Sequence, residues 1–90
     1  MKQRAQAADS LAERFALPAE ALGKGRITLV GKEKALIENQ RGILEYGPEL
    51  IRVAVRGNCL SLRGSDLRLG AMNPRELLIL GTIQSVEWEG

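Results

Sequence analysis

No histidine occurs anywhere in the 90 residues. That absence removes the commonest general base, the commonest metal ligand and the usual pH switch together. The single cysteine, Cys59, excludes an internal disulfide and a cysteine-built zinc site. It suits a reducing compartment, and without a histidine to activate it a nucleophilic role lacks support. Aromatics number three, Phe15, Tyr46 and Trp88, too few for the stacking platform of a single-strand binder. Tyr46 and Trp88 read as partly buried rim residues. Neither sign of charge dominates: 13 Lys and Arg against 11 Asp and Glu give a net +2, which does not by itself point to nucleic acid. The longest uncharged apolar run, residues 77–83, is far too short to cross a bilayer. The opening MKQRAQAADSLAERF lacks the apolar stretch of a secretory signal. GKGR lacks the spacing of a phosphate loop and precedes a strand. The expectation is a soluble, cytoplasmic protein with no cofactor and no metal.

What is present reads as one domain with an ordinary apolar fraction of 44%. A chain this short buries only about 60–65% of its unfolded surface, so association with copies of itself or a partner would help stabilise it. Residues 1–22 form an expected N-terminal helical segment. Ala5, Ala8, Leu11, Ala12 and Phe15 recur at spacings of three and four and make one narrow stripe. Pro18 ends that helix near Ala16, PAEAL adds a short turn, and Gly23, Lys24 and Gly25 form a hinge. The segment either packs across a sheet or serves as a partner-docking arm.

From Arg26 the apolar period changes to two, and residues 26–90 read as an all-β domain. The alternation marks about seven short, mostly antiparallel strands, from RITLV, KALIE, GILEY, LIRVAVR and CLSLR through LRLG and ELLIL to TIQSVEW. Gly57 and Asn58 suit a tight turn. The expected architecture is a rolled meander or sandwich. Recurrence of an apolar residue two places before Gly57, Gly64 and Gly81 offers a short β-solenoid-like stack as the alternative, although the spacings are irregular. Ile51, Val53, Val55, Leu60, Leu62, Leu67 and Leu69 share the core face; Arg52, Arg56, Ser61, Arg63, Asp66 and Arg68 share the solvent face. Leu77, Leu78, Ile79 and Leu80 are apolar on both faces, so this strand must be covered on both sides. The N-terminal helix or a second subunit could do that, which makes these four a candidate interface.

Two polar groupings invite chemistry. In LIENQRGILEYG, Glu38 and Asn39 read as a strand-end turn, with Gly42 free to take positive φ at the corner. Glu38 and Glu45 as an acid–base pair would need a deep cleft that nothing in the sequence suggests. Between residues 50 and 70, Arg52, Arg56, Arg63 and Arg68 face one acid, Asp66. This candidate basic face suits an anionic ligand, membrane lipid or nucleic acid, or head-to-tail contact with the acidic C-terminal flank. An ordinary solvated face explains it equally.

ITLVG, IENQRGILEY, LSLRGSDLRL and LLILGTIQSVEW, in that order and spacing, resemble the YabP/YqfC family of sporulation proteins, closer to its YqfC branch. The resemblance spans nearly the whole chain. It implies a non-catalytic sporulation protein of the mother cell, in the cytoplasm or peripheral at the forespore membrane, needed for spore envelope or coat development. Its implied partners are copies of itself and a membrane-anchored sporulation protein of the YqfD type. Gln40 stands where relatives often carry histidine, which weakens an enzymatic reading further.

Overall fold

The computed structural model describes residues 23–89; the expected N-terminal helix lies outside them. Six strands follow in order: β1 (Arg26–Val30), β2 (Lys34–Glu38), β3 (Gln40–Tyr46), β4 (Leu50–Val55), β5 (Asn58–Met72) and β6 (Glu76–Glu89). They form one sheet in the order β1-β2-β6-β5-β4-β3, with every neighbouring pair antiparallel. The chain is therefore mainly β. β3 to β6 follow one another as a meander, but the β1–β2 hairpin adds to β6 rather than to β3.

Six strands stand among the described residues against the expected seven or so, because two pairs of the eight apolar segments merge into long strands. CLSLR and LRLG are parts of β5, of 15 residues, and ELLIL and TIQSVEW are parts of β6, of 14. The glycines that read as breaks are bends within continuous strands. The β5–β6 register shifts between Arg63 and Gly64, between Ser65 and Arg68, and between Leu69 and Ala71. Here the two backbones touch: a Cβ on Gly64 would lie 1.9 Å from the Thr82 carbonyl oxygen, and one on Gly81 2.5 Å from that of Asp66. Gly81 also has φ +134°, a conformation open essentially only to glycine. Bulges of this kind let strands pass from one layer to the next.

The bend closes the sheet over one core. Ala35, Ile37, Leu77 and Ile79 come from the β1-side half; Ile51, Val53, Val55, Leu60 and Leu62 from the β3-side half; Leu67 and Ile83 sit at the bend. Each large aliphatic side chain buried there contributes roughly 1.5–3 kcal/mol.

The two halves repeat. Ala35 pairs Ile79 and Ile37 pairs Leu77, as Ile51 pairs Leu62 and Val53 pairs Leu60. The β1–β2 turn accepts bonds from Gly81 N (to Glu33 O, 3.2 Å) and Ile83 N (to Lys32 O, 2.7 Å), as the β3–β4 turn does from Gly64 N (to Glu49 O, 3.1 Å) and Leu67 N (to Pro48 O, 2.9 Å). Exchanging β1 with β3, β2 with β4 and β6 with β5 reverses the sheet order onto itself. Gly64 and Gly81 are thus equivalent bend points of two related halves. They do not mark stacked coils, and the antiparallel pairings replace the solenoid alternative.

The halves meet at a hinge of one residue. Asn39, between β2 and β3, has φ 63°, and its side-chain amide donates to Lys24 O at 2.9 Å. The backbone amides of Asn39 and Gln40 both donate to Arg75 O, at 2.8 and 3.1 Å. Gln40, 6% exposed, donates from Nε2 to Asn73 O at 3.1 Å and reaches Pro74 O at 3.4 Å. The β5–β6 tip is thereby fastened to the start of β3.

Candidate interaction surfaces

Because the core occupies the inner face of the bent sheet, anything the protein offers to a partner lies on the outer faces, the strand edges or the turns. On the β1-side half the register sets two outer rows. Thr28, Leu36, Leu78 and Ala71 form one; Val30, Lys34, Leu80 and Arg68 form the other. Val30 is 59% exposed, and Leu36, Leu78 and Leu80 are half-buried against one another. Gly70 lies beneath them: a Cβ there would fall 2.8 Å from Leu80 Cδ1 and 3.3 Å from Leu78 Cδ2. The missing side chain is the space into which these leucines fold.

The candidate interface of residues 77–80 is divided by strand parity. Leu77 and Ile79 are fully buried in the core, leaving Leu78 and Leu80 for the outer face. Leu36 pairs directly with Leu78, and Val30 flanks Leu80 across Lys34. Non-local register alone identifies Leu36 and Val30.

At the position equivalent to Leu36–Leu78 the β3-side half carries polar chemistry. Where the first half pairs Leu36 with Leu78, the second pairs Arg52 with Ser61. Arg52 Nη2 donates to Glu89 Oε1 at 3.0 Å, and Nη1 lies 3.6 Å from Glu45 Oε1. The Ser61 hydroxyl donates to the other Glu89 oxygen. Ser61, expected in water, is 1% exposed, because Arg52 and Glu89 close over it. The Ser61 hydroxyl first, then Arg52, hold the Glu89 carboxyl below the ordinary carboxylate value. The bond to Glu89, with the Cys59 sulfur 3.6 Å away, raises Arg52 above its ordinary value. One guanidinium thus stands between two carboxylates, with the Ser61 hydroxyl bound to one of them.

The four arginines of the candidate basic face do not form one surface. Arg52 is taken by two carboxylates, and Arg56 stands in the β4–β5 turn. Arg63 is exposed on the outer face before the bend. Arg68 lies beyond it, opposite Leu80, with Nη1 turned to Asp66 O at 2.9 Å. Glu38 and Glu45 are also separated. Glu38 pairs with Arg26 at 2.9 Å at the end of β2, and Glu45 stands beside Arg52 on β3, in the other half. Gly42, in a bulge of β3, has φ +137°. Among the described residues no helix is long and apolar enough to cross a membrane.

The chain matches the model of the YabP family over residues 22–90. It is 36% identical over 64 residues to a protein of Bacillus subtilis (strain 168) named "Uncharacterized protein YqfC", an alignment covering 70% of this chain and 68% of that relative. No solved structure matches it.

Proposed function

This chain belongs to the YabP family, and we propose that it is a non-catalytic interaction module of endospore formation. It acts in the mother cell during spore envelope or coat development, the setting that the family resemblance implies. It works by holding copies of itself or a membrane-anchored partner of the YqfD type against one outer face of its sheet.

A single contrast carries this reading. Two halves that repeat in core, turns and register differ in the outer layer: Leu36 and Leu78 in one, Arg52 and Ser61 in the other. Solubility and folding would be served by polar residues in both. An apolar pair kept on the outer face where its equivalent is polar is the mark of a contact surface. The absence of histidine and the pairing of Glu38 and Glu45 with separate arginines support a role without chemistry. The alternative of an anionic-ligand face is weakened by the engagement of Arg52 and by Arg68 standing beyond the bend.

The test is Leu78→Glu in the full chain, used as bait in a pull-down from sporulating cells. Leu78 lies on the outer face, outside the buried core, so the variant is expected to keep the wild-type far-UV circular dichroism and lose the partners that the wild type retains. A folded variant that captures the same proteins in the same amounts would overturn the assignment of this face.

A further inference from the structure

The outermost strand of a sheet leaves one row of amide and carbonyl groups unpaired, and a protein either guards that row or uses it. Among the described residues β1 and β3 are the two outermost strands, and they are built differently. β3 is interrupted by register shifts between Gln40 and Gly42 and between Ile43 and Glu45, and such bulges turn an edge away from a would-be partner. β1 keeps five consecutive pairs with β2 and no shift. It contains no proline and no acid, and its one base, Arg26, is at its start. Leu29 and Val30, on opposite faces, are 49% and 59% exposed. Among the described residues nothing guards this edge, and the strand is short enough for its whole length to be matched.

We infer that β1 pairs with β1 of a second copy, antiparallel and centred on Thr28, making a closed two-fold dimer with one continuous sheet. The inference rests on the interaction-module reading and gives that module a partner, an edge and a register. Thr28 is the middle residue of β1, so this centre pairs all five residues, whereas any other leaves part of the strand unmatched. In it Thr28 faces Thr28 of the partner subunit, Ile27 faces the partner's Leu29, and Arg26 faces the partner's Val30. Apolar meets apolar, hydroxyl meets hydroxyl, and within the strand no like charges are opposed.

The same register joins the outer rows. The row of Ala71, Leu78, Leu36 and Thr28 continues through Thr28 of the partner subunit into its equivalent row, so the two apolar faces become one. Both β1 edges are consumed, so assembly through them stops at two copies rather than growing into a filament.

The test uses the full chain. Light scattering of the wild type should give twice the 9.8 kDa chain mass. With Cys59 replaced by serine, Thr28→Cys should form a disulfide-linked dimer under mild oxidation. Val30→Cys in the same background should not: the two copies of that residue would stand roughly 13 Å apart along antiparallel strands, beyond the roughly 7 Å a disulfide spans. Thr28→Lys and Thr28→Glu, at an exposed position, should each be folded monomers, because like charges meet on the two-fold axis. Mixing them should restore the dimer. A wild type that stays monomeric at every concentration would overturn the inference and the self-association in the proposed function. A dimer that cross-links no better through position 28 than through position 30, or whose mass is unchanged in both charge variants, would overturn the inference alone and leave the outer-face reading standing.

Discussion

Three glycine-to-alanine substitutions, one in the β3 bulge and two at the bend, separate the two physical demands that call for glycine. Gly42 has φ +137° and nothing within 4 Å of an added Cβ, so alanine there meets backbone strain alone. That strain is worth about 1–3 kcal/mol, offset by about 0.4–1 kcal/mol from the stiffer unfolded chain. Gly64 has no positive φ, but its Cβ would lie 1.9 Å from the Thr82 carbonyl oxygen. Alanine there must push two paired backbones apart, at a cost of roughly 1–3 kcal/mol or more. Gly81 meets both demands, with φ +134° and the Asp66 oxygen 2.5 Å away. Its replacement is expected to cost roughly 3–5 kcal/mol, against a total stability of roughly 5–13 kcal/mol for a domain of this length. Urea denaturation followed by circular dichroism reads the differences, at one fixed protein concentration because self-association would add stability. With a slope near 1 kcal/mol/M, Gly42→Ala should lower the midpoint by about 1–2 M, and Gly81→Ala by at least twice as much or unfold the chain. A Gly81→Ala midpoint no lower than that of Gly42→Ala would refute the claim that backbone contact at the bend demands glycine.

The remaining predictions address the core, the hinge and the polar cluster. Leu77→Ala should cost about 2–5 kcal/mol of stability by emptying a core site, and Leu78→Ala well under half of that, both read from urea midpoints; equal costs would contradict the parity of the two faces. Gln40→Glu would set a carboxylate against the Asn73 and Pro74 carbonyls and raise its pKa in the folded state. Stability should therefore be highest below the unfolded value of about 4.3 and fall as pH rises through the folded one, and a variant that gains stability over that range would refute the geometry. Glu89 has the opposite sign: its pKa is lowered on folding, so its contribution is present above the unfolded value and lost as pH falls through the folded one. Ser61→Ala should move the NMR titration midpoint of the Glu89 carboxyl upward, and an unchanged midpoint would remove the hydroxyl from the account.

Much of the candidate site was legible from local pattern. Strand period placed Leu78 and Leu80 on the face opposite Leu77 and Ile79, and all four were singled out because residues 77–80 are apolar on both sides. Which pair reached the surface could not be read, because that depends on which side of the sheet the core lies. Ser61 misled for a related reason. Alternation put it on the outer face, where it does stand, but its burial comes from Arg52 on β4 and Glu89 at the end of β6, far away in sequence.

The amino-acid order alone determined an all-β module, the core faces of β4 and β5, and the tight turn at Gly57 between them, because period and turn chemistry are properties of a few consecutive residues. Tertiary structure alone decided that Gly64 and Gly81 bend two long strands instead of ending four short ones, that β2 pairs β6 although β3 follows it directly, and that the outer pair Leu36–Leu78 is apolar where its equivalent, Arg52–Ser61, is polar. The physical reason is that pairing partners are chosen by the burial of a whole face, a sum over the chain that no short stretch contains.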